Sequence, residues 1–187
     1  MLTKNIFFQN FKFKSPKTKF RKNFISLIKK EIKNEKNLLF SFTNKYKQSY
    51  NRSNLIKLQK KFSIINIIGM GGSILGSKAI YFFLRDKIKS KITFTDNLIN
   101  FREDFNQKKK LNIIISKSGN TLETIINSNI KIKKRDKNIA LTENTQNYVK
   151  TLAQNLKAEI IDHKNYIGGR YSVLSEVGML PAELMGL

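Results

Sequence analysis

Between residues 112 and 124 the chain reads Asn112-Ile-Ile-Ile-Ser116-Lys117-Ser118-Gly119-Asn120-Thr121-Leu-Glu123-Thr124, an apolar run that breaks into hydroxyls and then into a helical stretch. That order of residues builds an anion site. A helix beginning near Asn120 or Thr121 leaves its first backbone N–H groups without carbonyl partners, at the positive end of the helix dipole. A phosphate satisfies them. Ser116, Ser118, Asn120, Thr121 and Thr124 set small hydrogen-bonding side chains around that point, Gly119 permits a positive φ, and Glu123 is spaced to cap back onto the free N–H groups. The same residues also suit an ordinary polar loop with a good N-cap, so this segment alone leaves both readings open.

Two other turns have chemical potential. Gly69-Met70-Gly71-Gly72-Ser73-Ile74-Leu75-Gly76 allows a tight turn and close approach of a ligand to the backbone. A dinucleotide site would want Gly-x-Gly-x-x-Gly with an acid near the end of the next strand. Asp96 supplies the acid, but Ile74 stands where the third glycine belongs, and no Gly-Lys-Ser/Thr follows to make a Walker loop. What remains is a Gly-Gly-Ser turn with the Ser73 hydroxyl free to face a ligand. Further on, Gly168-Gly169-Arg170-Tyr171-Ser172 sets an arginine after a glycine pair, with a helix start expected close behind. A guanidinium held in this way offers several fixed donors to a developing negative charge, although an exposed loop arginine has the same local sequence. His163, the one histidine, has no partner motif around it and reads as a structural or solvent-facing residue.

The elements that must position these turns follow from periodicity. From Phe62 onward, short β-branched runs at 64–68, 91–95, 112–116, 138–141 and 159–161 alternate with helical stretches at about 74–85, 121–134 and 145–157. Strands alternating with helices predict an α/β fold with a doubly wound parallel five-stranded sheet. In such sheets ligands lie beyond the carboxyl ends of the strands, where the winding reverses; for the order 2-1-3-4-5 that crevice lies between the first and third strands. The loops 69–76 and 116–124 would line it. Residues 1–60 hold no glycine and many lysines, with Phe24, Leu27, Ile28 and Ile32 at helical spacing, and read as an N-terminal helical arm ahead of a domain over 61–187. The final stretch from Arg170 is apolar at Val173, Leu174, Val177, Met179, Leu180, Leu184, Met185 and Leu187 without a helix-ending signal. It reads as a portion of a longer protein, cut where more chain would pack.

Composition narrows the function classes. Forty per cent apolar residues in a chain of 187 suffice for a core, and the absence of cysteine excludes disulfides, thiolate catalysis and Cys-based metal sites. The formal charge of +23 would draw anionic metabolites to any cleft. Nucleic acid is disfavoured as a partner, because the basic residues are spread from end to end and the second half has no arginine cluster or basic stripe with interleaved aromatics. No run is long enough to span a bilayer, and Met1 to Phe20 lacks a continuous apolar signal core, so the expectation is a cytoplasmic protein with no membrane partner.

Taken together, three segments resemble the glucose-6-phosphate isomerase family of the sugar-isomerase (SIS) superfamily. Gly71-Gly72-Ser73-Ile-Leu-Gly76 is similar to its first sugar-phosphate loop, Ser116 to Thr124 to its phosphate loop, and Gly168-Gly169-Arg170-Tyr171-Ser172 through Ser175, Val177 and Gly178 to the signature around its active-site arginine. The first two recur across SIS domains; the third is more particular to the isomerase. The resemblance covers about residues 64–187. It implies that Ser116, Ser118, Thr121 and the Lys117 backbone N–H hold the phosphate of a sugar-phosphate substrate, that Gly72 and Ser73 lie on the sugar side, and that Arg170 stabilises the enediolate between aldose and ketose. It further implies no metal or other cofactor, a homodimer as the complete protein, and a base glutamate, ring-opening histidine and further lysine located beyond Leu187 in a second SIS domain and a C-terminal region. Glu176, Glu183 and His163 do not match those positions. The competing reading is a transcription regulator, with a DNA-binding arm over the first 60 residues and an SIS domain that senses a sugar phosphate.

Overall fold

The computed structural model describes residues 18–98, 109–133 and 135–187. Met1 to Lys17, where the expected arm begins, and Lys134, where the helix expected over 121–134 ends, lie outside the described residues. Among the described residues there are five strands, β1 (Ile64–Gly69), β2 (Lys91–Thr95), β3 (Leu111–Ile115), β4 (Lys137–Thr142) and β5 (Glu159–Asp162), all parallel in the order β2-β1-β3-β4-β5. The sheet order and the strand positions read from the sequence are those observed. Six α-helices accompany them: α1 (Thr18–Ile32), α2 (Arg52–Lys61), α3 (Gly72–Phe83), α4 (Leu122–Lys131), α5 (Tyr148–Asn155) and α6 (Glu176–Met185).

Both faces of the sheet are covered, which is why β1 and β3 are buried at every residue rather than at alternate ones. On one face Ile65, Ile67, Ile113, Ile115, Ile139 and Leu141 pack with Leu55 of α2, Ile74 of α3 and Val177, Leu180, Leu184 and Met185 of α6. On the other, Ile68, Ile114 and Ala140 meet Val149 and Ala153 of α5. That second face also carries a polar ladder: Asn66, Asn112 and Asn138 are in register on β1, β3 and β4. Asn66 Nδ2 donates to Asn112 Oδ1 at 3.3 Å and Asn112 Nδ2 to Asn138 Oδ1 at 2.9 Å. Buried amides are tolerated because they satisfy one another, and the match holds only in this register.

Two sequence expectations change here. The apolar residues of the final stretch, which read as seeking a partner, are absorbed in part by this core, with Leu180 and Leu184 fully buried. Its helix has an end signal after all, since Gly186 takes the left-handed C-cap conformation at φ +90°. The expected helix over Phe24 to Ile32 forms as α1, yet Phe24 and Leu27 are 55% and 59% exposed. That helix packs against the 3₁₀ turn Leu38–Phe42 and is tied by Asn37 Nδ2 donating to Glu31 Oε2 at 2.6 Å. Residues 46–50 instead join the sheet domain: Glu176, 1% exposed, accepts from Tyr46 Oη at 2.7 Å and from the Ser49 N–H and hydroxyl at 2.9 Å each. A buried carboxylate requires such donors, and burial beside Glu176 raises the Tyr46 phenol well above its ordinary range. No helix among the described residues is long and apolar enough to cross a membrane.

Candidate functional site

Winding reverses between β1 and β3, and the two turns leaving their carboxyl ends face each other there. A cleft of about 420 Å³ opens at this point, lined by Met70, Gly72, Ser73, Lys117, Ser118, Thr121, Glu143, Gly169 and Arg170. Six residues singled out in the sequence, Gly72, Ser73, Lys117, Ser118, Thr121 and Arg170, are thus brought together. The seventh, Ser116, lies immediately beneath: it is 1% exposed, and its hydroxyl is 3.1 Å from that of Thr121.

Two helices begin at the cleft, α3 after Gly71 and α4 after Thr121, and neither N-cap residue spends a side chain on its own helix. Both helix N-termini turn their positive dipole ends to the cleft, although at α3 the Ser73 and Ile74 N–H groups are already taken by the Met70 and Gly71 carbonyls at 3.2 and 3.0 Å. The turn before α4 is shaped by Gly119, which sits at φ +68°. A Cβ there would lie 1.9 Å from Asn147 Oδ1, so the position excludes a side chain twice over. The Gly119 N–H is held by the Ser116 hydroxyl at 3.1 Å and the Asn120 N–H by the Ser118 hydroxyl at 3.3 Å.

Not every residue of this segment is free for a ligand. Asn120 Oδ1 accepts from the Tyr148 N–H at 3.0 Å, at the start of α5, so its side chain braces a neighbouring helix. Thr124 is buried at 1% exposure under α4. Glu123 stands in the first turn of α4 without a cap bond back to Thr121. The free N–H groups are left to whatever enters the cleft.

The third turn reaches the cleft because of Gly72. A Cβ at that position would lie 2.2 Å from the Gly169 carbonyl oxygen and 3.0 Å from the Arg170 nitrogen, so the Gly169-Arg170 backbone crosses directly over the start of α3. The helix expected just after Arg170 is preceded by a 3₁₀ turn, Gly169–Leu174, and α6 begins at Glu176. Ser172 Oγ donates to the Gly169 carbonyl and Ser175 Oγ to the Ser172 carbonyl, both at 2.7 Å; these hydroxyls fix the turn. Arg170 is exposed and its guanidinium makes no hydrogen bond or ion pair among the described residues. It is available to a ligand.

Glu143 and Met70 were not singled out in the sequence. Glu143 follows the carboxyl end of β4, so the rule that ligands gather at strand ends was the signal that could have found it. It lies 3.5 Å from Lys117 Nζ and also borders a second cleft of about 370 Å³, with Lys36, Asp162, His163, Lys164 and Tyr166 among its lining. His163 is 2% exposed, which corrects the solvent-facing alternative and leaves the structural one. Burial lowers its pKa, so the ring is held neutral, with Nδ1 3.2 Å from the Lys164 carbonyl oxygen. Among the described residues no cluster of His, Asp and Glu has the arrangement of a metal site.

The comparisons with known proteins bear on the same stretch. The phosphoglucose isomerase family model matches residues 28–186. The chain is 32% identical over 132 residues to the glucose-6-phosphate isomerase of Methanocaldococcus jannaschii, a match covering 65% of this chain and 32% of that protein. It is 33% identical over 147 residues to the glucose-6-phosphate isomerase of Acholeplasma laidlawii, covering 68% and 35% respectively. The chain thus spans about a third of the length of these relatives. Among solved structures, a hypothetical protein from Thermus thermophilus superposes with a TM-score of 0.59 at 19% identity, covering 90% of this chain and 48% of that one. The Vibrio vulnificus NanR protein complexed with ManNAc-6P gives 0.54 at 16% identity, covering 90% and 63%. These two share the fold. With the family model running from before the sheet to the end of α6, through all three turns of the cleft, the chain belongs to the phosphoglucose isomerase family.

Proposed function

We propose that this chain supplies the phosphate clamp and the electrophilic arginine of an aldose-ketose isomerase that interconverts glucose 6-phosphate and fructose 6-phosphate. The observation that carries the reading is the convergence of Ser73, Ser118, Thr121 and Arg170 on one cleft at which two helices begin. The hydroxyls of Ser116, Ser118 and Thr121, with the Lys117 backbone N–H and the first turn of α4, bind the phosphate dianion. Gly72 and Ser73 face the sugar. Arg170 lies beside the carbonyl carbons, where its charge stabilises the oxyanion formed as a base moves a proton between C1 and C2. Binding energy from the remote phosphate orients those carbons.

The base glutamate, the ring-opening histidine and a further lysine belong, in this reading, to chain outside residues 1–187, in a second SIS domain, and the complete protein works as a cytoplasmic homodimer without metal or nucleotide. Residues 61–187 carry the sheet and cleft of the first sugar-phosphate-binding domain, against which Tyr46, Ser49 and Leu55 pack. The family match extends through Arg170, the stretch for which the regulator reading has no use.

Calorimetric titration of the chain with glucose 6-phosphate tests the clamp. Hydrogen bonds to charged groups contribute about 1.5–3 kcal/mol each, so replacing Ser116 and Thr121 together with alanine is expected to weaken binding by roughly a hundredfold or more. An unchanged Kd would remove these hydroxyls from the phosphate site.

A further inference from the structure

Lys117 has a side chain that the phosphate clamp does not use. Its backbone carbonyl is held at the end of β4, accepting from the Glu143 N–H at 3.1 Å and the Thr142 hydroxyl at 3.3 Å. Its side chain passes 3.5 Å from Glu143 Oε1 and donates to the Asn165 carbonyl at 2.8 Å. Asn165 lies five residues before Arg170, in the segment joining β5 to the arginine turn. That segment is fixed to the sheet at its start by the His163 N–H donating to the Thr142 carbonyl at 2.9 Å, and it meets the phosphate loop through Lys117. Lys117 and Glu143 are partly buried, with side chains 30% and 23% exposed, so their attraction is less screened than that of a surface pair.

A lysine beside a phosphate site is ordinarily read as a phosphate ligand. Here the ammonium is already committed to a carboxylate and a carbonyl, while the nearby guanidinium of Arg170 has no partner among the described residues. Resting on the sugar-phosphate reading above, we infer that Lys117 and Glu143 are positioning residues: their ion pair and the Lys117 bond to Asn165 tie the phosphate loop to the arginine turn, so that filling the phosphate end sets Arg170 at the sugar end. The link is a short physical strap between two loops that share no covalent neighbour, and both ends bear on the same ligand.

The strap is tested on the 187-residue chain by titration with inorganic phosphate and, separately, with glucose 6-phosphate. Three variants serve: Lys117→Arg, Glu143→Gln, and the double variant Lys117→Met with Glu143→Gln, which removes the pair without leaving a bare carboxylate at the cleft. The inference expects the double variant to lose roughly tenfold of the advantage of glucose 6-phosphate over inorganic phosphate, a coupling of ordinary size. Lys117→Arg, which keeps charge and donors, is expected to retain most of that advantage. Glu143→Gln alone frees the ammonium and is expected to tighten phosphate while shrinking the sugar advantage, an outcome that still decides the matter should the double variant not fold. Equal losses for both ligands in the double variant would make Lys117 a direct phosphate ligand and overturn the inference, as would an undiminished sugar advantage. Failure of the native chain to bind either ligand would instead sink the sugar-phosphate reading itself, and the native titration alone reveals it.

Discussion

Replacing Arg170 with alanine is expected to weaken binding of a planar hydroxamate analogue of the enediolate, carrying the same phosphate, by roughly a hundredfold or more, and glucose 6-phosphate itself by less than about fivefold. The asymmetry follows from the site. In the proposed reading the phosphate has its own donors in Ser118, Thr121 and the start of α4, which share the cleft with Arg170. Arg170 is exposed and without a partner among the described residues, so in that reading its charge is available to an oxyanion that exists only after a proton has left carbon. In the assembled enzyme the same difference would appear as a fall in kcat with little change in KM. Parallel losses for substrate and analogue would place Arg170 in ground-state binding.

Gly119→Ala should cost the fold roughly 2–4 kcal/mol, adding the strain of a left-handed residue to the loss of an N-cap. At φ +68° the new methyl would fall 1.9 Å from Asn147 Oδ1. Asn147 cannot move aside freely, because that oxygen caps α5 by accepting from the Lys150 N–H at 2.9 Å, and its amide nitrogen donates to Thr142 Oγ1 at 3.1 Å and the Thr145 carbonyl at 3.0 Å. Displacing it disturbs the phosphate loop and the end of β4 together. Urea unfolding of the variant measures the cost, and a midpoint equal to that of the native chain would show that the turn relaxes without strain.

Much of this molecule was legible in its sequence for a simple reason. Apolar β-branched runs stop at glycine and hydroxyl turns, so the ends of β1 and β3 and the loops that follow them are marked by local chemistry. The sheet order then fixes where those loops meet. Contacts that depend on two distant segments arriving together were not legible. Nothing around Glu176 announces that its carboxylate will be satisfied by Tyr46 and Ser49, about 130 residues earlier in the chain. Lys117 entered the sequence reading only through its backbone N–H, and only the register of β4 against β3 places Glu143 beside its side chain. Asn120 had the right type and spacing for an anion ligand, but the arrival of α5 claims its side chain. His163 was ambiguous because burial is a property of the assembled loop and not of its neighbours in sequence.

In the proposed reading three turns form one pocket for a phosphate monoester, with a guanidinium beside the sugar carbons. A crystal structure of the chain bound to glucose 6-phosphate tests it most directly. The phosphate should lie against the hydroxyls of Ser118 and Thr121 at the start of α4, with the sugar running past Ser73 toward Arg170. A phosphate seated in the second cleft, against Lys36 and Lys164, or a sugar pointing away from Arg170, would contradict it.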